Sequence, residues 1–349
     1  MNGPGGTMKL SRRDTLQLGA AAVGVVLLGG NAGCKSNAKV VVVYTSVDQV
    51  FSEPIFRAFE KDTGITVRAV FDTEETKSTG ILNRLLAEGE RPQADVFWSG
   101  DPVRPFLLIK RGLVEPYVSP NAAGLPEGLR AADGTWTGVA ARARVLLVNK
   151  SRVPAGDMPR SIRDLADARW RGQTAIANPL FGTTTMHVAA LFAAWGEEAA
   201  QKFLNDLKAN GARIASANGE VKRLVVAGEV AFGLTDTDDA NEALKEGAPV
   251  EVVYPDQDAL GTLVMPTAVV LMRGGPQPEA GRRLVDFLLS AETERRMAET
   301  AAHMPLRKGV PTPAGVRPVG DIRAMQVDYG GVAAEMERIQ PWLRQWAGL

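Results

Sequence analysis

The sequence predicts two α/β lobes, each with a doubly wound mixed sheet, joined by crossing strands with a ligand cleft between them. Three observations carry that prediction. Short β-branched runs alternate with helix-period segments from Lys39 to Trp98, the pattern that builds a parallel sheet covered by helices. Thr137 to Asn149 is long and strand-like and reads as crossing from one lobe to the other, with Leu263 to Met272 as the returning strand. Between them, Val230, Phe232 and Leu234 alternate with small or polar neighbours and run into Thr235, Asp236, Thr237, Asp238 and Asp239. Three carboxylates thus stand where a strand ends, and the crevice at strand carboxyl ends is where open α/β sheets bind ligands. The plainer reading is that these acids cap the following helix and complement its dipole, worth about 0.3–1 kcal/mol each.

The chain has 349 residues, enough for two lobes with their own cores, and 40 basic residues balance 40 acidic ones. That balance gives no electrostatic footprint for nucleic acid and no polybasic surface for a membrane. At the start, Ser11 to Gln17 with Arg12 and Arg13 precedes the apolar run Leu18 to Leu28, and Gly29 to Gly33 leads into Cys34. This is similar to a twin-arginine export signal closed by a lipoprotein cleavage site, although Asn31 stands where an apolar residue is usual. The run is shorter than the roughly 18–20 apolar residues a bilayer demands, so membrane contact is expected only through a lipid on Cys34. Cys34 is the only cysteine, which excludes an internal disulfide. The expected organisation is a signal over 1–33, a first lobe over 38–140, a second over 141–257, a return to the first over 258–310, and a C-terminal segment over 311–349.

In chain order, Lys39 to Tyr44 is a strand buried on both faces, followed by a helix carrying Phe51, Ile55, Phe56 and Phe59 and closed at Gly64. Ile65 to Phe71, Lys77 to Gly89 and Ala94 to Trp98 read as strand, helix and strand, and Pro102 starts another helix toward Gly112. Thr174 to Ala177 opens the second lobe, in which Glu198 to Asn210 and Gly219 to Gly228 are helical and Val250 to Tyr254 is a strand. Pro278 to Leu289, Ala291 to Thr300 and a last amphipathic segment, Gly331 to Trp346, read as helices.

A second polar constellation opens the helix that ends at Trp195. Gly182, Thr183, Thr184 and Thr185 put free backbone N–H groups and hydroxyls together at a helix start, an arrangement that receives phosphate, carbonate or carboxylate. One Thr acting as a simple cap is the alternative. Enzymatic chemistry has little footing: there are two histidines, His187 and His303, and no nucleophile elbow, Walker A loop, dinucleotide fingerprint or zinc-protease helix. Nor is the acidic stretch an EF-hand, since Asn241 stands where its glycine belongs and Gly247 where its closing Glu belongs.

Val41 to Tyr44, Phe56 to Val67, Ala94 to Phe97, Arg142 to Val145, Gly228 to Val230 and Pro305 to Arg307 together resemble the periplasmic ferric-iron-binding proteins of ABC importers, within the type II solute-binding fold. That resemblance implies a periplasmic, monomeric binding protein that works with a membrane permease and its ATPase. The family's adjacent tyrosines fall on Asp238 and Asp239, its histidine on Asp48, and its glutamate on or beside Gly100, next to Asp101. Its anion turn falls on Gly182 to Thr185, Asn218 and Asp236 lie near its anion-contacting asparagines, and Arg142 matches an arginine that closes over the anion. The phenolate pair is absent here. Asp48, Asp101, Asp238 and Asp239 are hard oxygen donors that suit Fe³⁺ but discriminate poorly among hard cations. Fe³⁺ with phosphate or carbonate is therefore the leading ligand. A small zwitterion such as an aminophosphonate is the alternative, its ammonium on the aspartates, its acid on the turn, and Tyr44 and Trp98 lining the cleft.

Overall fold

The computed structural model describes residues 40–72 and 79–348; the signal segment and Cys34 lie outside these residues. β1 (Val40–Thr45), α1 (Gln49–Thr63), β2 (Thr66–Phe71), α2 (Thr79–Glu88) and β3 (Val96–Ser99) form the first alternation, with β1 parallel to and between β2 and β3. In α1, Ile55, Phe56 and Phe59 are buried on one face, and Gly64, at φ 68°, ends the helix by donating its N–H to the Glu60 carbonyl. α3 (Arg104–Lys110) starts two residues later than Pro102 predicts, because the Asp101 carboxylate takes the N–H groups of Val103 and Arg104.

The long strand is β5 (Thr137–Asn149), buried at every position. After it come β6 (Thr174–Ala177), α4 (Gly182–Trp195), α5 (Glu197–Ala209), β7 (Arg213–Ala215), α6 (Asn218–Val226), β8 (Phe232–Asp236), α7 (Thr237–Lys245) and β9 (Val250–Val253). The chain then returns through β10 (Val264–Met272), α8 (Pro278–Leu288), α9 (Ala291–Ala301) and α10 (Tyr329–Ala347). Strand order is β2-β1-β3-β10-β5-β8-β6-β7. β10 is antiparallel to both β3 and β5, so the sheet is mixed. β5 changes partner along its length: Thr137 to Ala143 pairs with β10, Arg144 to Val148 with β8, and Leu146 to Asn149 with β9. One strand therefore belongs to both halves of the sheet, with the change at Ala143 and Arg144. α10, buried through Val332, Met336, Ile339, Leu343 and Trp346, packs on α4 and on α3 and so ties the two halves together a second time. No described helix is long and apolar enough to cross a membrane.

The chain after α9 is held by a buried pair. Glu294 is 1% exposed and accepts from the Arg307 N–H at 3.3 Å, while the Arg307 guanidinium donates to the carbonyls of Asn121, Ala123 and Leu289. Burial pushes the Glu294 carboxyl up to about 7, against the pull of Arg307. A carboxyl raised in the folded state costs nothing below its unfolded pKa, and the cost grows as pH rises from there to about 7. Glu294→Gln is thus expected to stabilise the protein at pH 8 by about 1–3 kcal/mol and to change little at pH 4. Thermal melts at both pH values check this; an equal shift at both would rule out the ionisation as its cause.

Candidate functional site

The site is assembled where β8 gives way to α7 and where β5 changes partner. Residues two apart on a strand share a face, so Arg142 and Arg144 of β5 both project toward the end of β8. Arg144 is wholly buried, which calls for a counter-charge and hydrogen bonds; its two terminal nitrogens have them and its Nε has none among the described residues. Asp236 supplies the charge at 2.6 Å, and Thr183, Thr184 and Asn218 accept at 3.0, 3.1 and 3.1 Å. Arg142 stands one step nearer the solvent, 3.3 Å from Asp236 and 3.1 Å from Asp238, and donates to the Gly100 carbonyl at 2.7 Å. His303 comes within 3.8 Å of the same Asp238 oxygen that meets Arg142.

Around this ladder of alternating charges lies a cavity of about 210 Å³, whose walls include Ser46, Asp48, Gly100, Arg142, Asn178, Phe181, Gly182 to Thr184, Ser216 to Gly219, Asp236, Asp238 and Asp239. Ser46, Asp48, Asp238 and Asp239 also line an adjoining outer cavity of about 510 Å³. Neither α4 nor α6 has a side-chain cap, and their first residues face the inner cavity, so two helix starts meet there. One carboxylate oxygen each from Asp236, Asp238 and Asp239 lies within 4.8 Å of the others.

Burial opposes the charge on Asp238, but Arg142 and His303 outweigh it and hold the carboxyl well below the usual carboxylate range. Burial likewise works against the Arg142 charge, which Asp238, Asp236 and Asp48 more than restore. His303 is pushed down by burial, with Arg142 adding to the effect against Asp238, and is neutral at pH 7. His187, within α4, is pushed down to about 3 by burial and Arg144.

Asp48, Arg142, Gly182, Thr183, Thr184, Asn218, Asp236, Asp238 and Asp239 are thus brought around one cavity. Four other predicted site residues are not. Asp101 is fully buried, ion-paired with Arg104 and committed to the start of α3; only the preceding Gly100 reaches the cavity. Tyr44 is buried with its hydroxyl donating to Glu88 at 2.7 Å, and burial followed by Glu88 pushes it up to about 12, so it offers neither a phenolate nor a stacking face. Trp98 is sealed in the core with its Nε1 donating to Thr267. Thr185, one helix step of about 100° beyond Thr184, lines a separate cavity with Leu180 and Met336. Asp236 lines the cavity, yet its oxygens already meet Arg144, Arg142, Thr183 and Asn218, so it braces other site residues and does not receive an anion. Of the residues sequence reasoning passed over, Arg144 was detectable from its period-2 spacing with Arg142. Ser46, Ser216 and His303 arrive from distant segments and leave no local signal.

The sequence profile of the bacterial extracellular solute-binding protein family matches residues 92–319. Iron uptake protein A1 of Synechocystis is 28% identical over 340 residues, 90% of this chain and 92% of its own length. A Salmonella typhimurium periplasmic protein named for 2-aminoethylphosphonate binding is 26% identical over 350 residues, 97% of this chain and 94% of its own. The crystal structure of iron-bound HitA from Pseudomonas aeruginosa superposes with a TM-score of 0.79 at 23% identity, covering 87% of this chain and 99% of that one, and shows that the two share a two-lobed periplasmic binding fold. The chain therefore belongs to the bacterial extracellular solute-binding protein family, as a binding component of an ABC importer and not an enzyme.

Proposed function

We propose that the cleft binds a ligand with two parts, a positive centre facing Asp48, Asp238 and Asp239 and an anionic group at the first turns of α4 and α6, and delivers it to a permease driven by an ATPase. The observation that carries this reading is that acidic side chains and two helix starts without side-chain caps line the same cavity of about 210 Å³. Fe³⁺ with phosphate or carbonate satisfies both halves: the carboxylates are hard donors for the metal, and the helix starts suit the anion. The iron named in two of the similar proteins supports this form. A second form, a small zwitterion such as an aminophosphonate, is favoured by the Arg142 guanidinium already resting on Asp238, which a metal would have to share or displace. The Salmonella relative supports it.

Closure would occur about β5 and β10, with residues 38–140 and 258–310 as one lobe, 141–257 as the other and 311–349 fastening them. Export through the twin-arginine signal over 1–33 would leave a monomer anchored by lipid on Cys34, which the mass of the membrane-extracted protein would reveal. Calorimetric titration with Fe³⁺, with and without phosphate, and with 2-aminoethylphosphonate tests the ligand reading. Iron binding strengthened by the anion selects the first form, binding of the phosphonate alone selects the second, and no binding in any arm defeats both.

A further inference from the structure

We propose that Arg144 is a positioning residue for the anion-receiving turn, fixing the starts of α4 and α6 in place without meeting the ligand. This rests on the reading that the ligand's acid group sits at those helix starts. Arg144 is fully buried and absent from the cavity wall. Its Nη1 shares two hydrogens among Thr183 and Asn218, in the first turns of α4 and α6, and Asp236 at the end of β8, while Nη2 donates to Thr184. One rigid fork thus reaches three elements, and no ammonium can reproduce its planar spread.

The same bonds decide which hydroxyl is left for a ligand. A threonine hydroxyl has one hydrogen and two lone pairs. That of Thr183 donates to Asp236 at 2.9 Å and accepts from Arg144 and from Asn218, both at 3.0 Å, so its capacity is exhausted. The Thr184 hydroxyl accepts from Arg144 and keeps its own hydrogen to give. Thr183 is scaffold, Thr184 is the hydroxyl donor, and the backbone N–H groups at the two helix starts supply the remaining contacts.

Arg144→Lys and Thr184→Val test this in the full chain, with Fe³⁺ plus inorganic phosphate and 2-aminoethylphosphonate as probes. Arg144→Lys is expected to weaken the bound probe about 10- to 100-fold, and Thr184→Val about tenfold, with the double variant losing less than the product because part of the Arg144 effect passes through the Thr184 hydroxyl. In ligand-free protein, Arg144→Lys is expected to speed amide exchange at Thr185 and Val221, the residues whose N–H groups close the first turns of α4 and α6 on Phe181 and Ala217. A fall in thermal stability with affinity and those two exchange rates unchanged would overturn the proposal, leaving Arg144 as core filling. If the unmodified protein binds neither probe, the reading of the site fails, and the exchange rates still decide whether Arg144 positions the helices. Should Arg144→Lys not fold, multiplicative losses for Thr184→Val combined with Asn218→Ala would count against a shared brace.

Discussion

Asp236→Ala is expected to lower unfolding stability by about 3–5 kcal/mol, the range found when one partner of a buried ion pair is removed. Asp236 is 1% exposed and is the only carboxylate within salt-bridge distance of Arg144 among the described residues. Without it a wholly buried guanidinium keeps two hydroxyls and an amide, which accept hydrogen bonds but do not offset charge. The loss also propagates: Arg142 keeps Asp238 and Gly100 but gives up its inner partner, and the Thr183 hydroxyl loses its acceptor. Asp236→Asn should cost less, since the amide keeps the shape and one acceptor oxygen. Urea denaturation of the two variants, with unchanged slopes, measures both; a loss below about 1 kcal/mol for the alanine variant would mean that water reaches Arg144 and replaces the carboxylate.

Much of this architecture was legible because buried strands announce themselves. β1 is almost continuously Val, and β5 combines unusual length with apolar residues flanking Arg142 and Arg144, so neither could be mistaken for a surface strand. β4 (Val114–Glu115, paired with β10) and β7, of two and three residues, are too short to show any period in the sequence. Site residues divide along a different line. Asp238 and Asp239 follow β8 directly, and the helix that starts there turns both toward the cleft. Asp101 likewise stands just past a strand end, but the irregular segment before α3 rotates its carboxylate inward to Arg104. Proximity to a strand end therefore selects the neighbourhood, while the next one or two dihedrals select the face. Tyr44 and Trp98 illustrate the same limit within a strand. Both lie near the cleft in sequence, yet they face the two apolar layers that sandwich the sheet, where aromatic bulk is needed for packing. His303 could not have been placed at all from the chain, because it reaches Asp238 only after α9 closes on the left-handed Ala302 at φ 54°.

Asp238→Asn is expected to weaken ligand binding about 100-fold, close to 2.7 kcal/mol, while leaving the fold intact. Asp238 lines both cavities and is the carboxylate on which Arg142 and His303 converge, at 3.1 and 3.8 Å from one of its oxygens. The amide preserves size and one acceptor but removes the negative charge that a metal ion or an ammonium group would meet. Arg142 retains Asp236 and the Gly100 carbonyl, so it is not stranded as Arg144 would be. The pH dependence follows from the direction of the Asp238 shift. Its carboxyl is held below the usual range, so its contribution is complete above the ordinary aspartate value near 3.9 and is lost only as pH falls through the lower folded value. Acid release controlled by Asp238 should accordingly begin below about pH 4. Arg142→Gln removes the main support for that ionisation, leaving burial to raise the carboxyl, and should move acid release upward by at least one pH unit, about 1.4 kcal/mol of lost charge stabilisation. Affinities of the bound probe measured from about pH 2 to pH 8 in the unmodified protein and both variants separate these effects. Equal affinity in Asp238→Asn would remove this carboxylate from the ligand's surroundings, and an unmoved release point in Arg142→Gln would show that the guanidinium does not govern its charge.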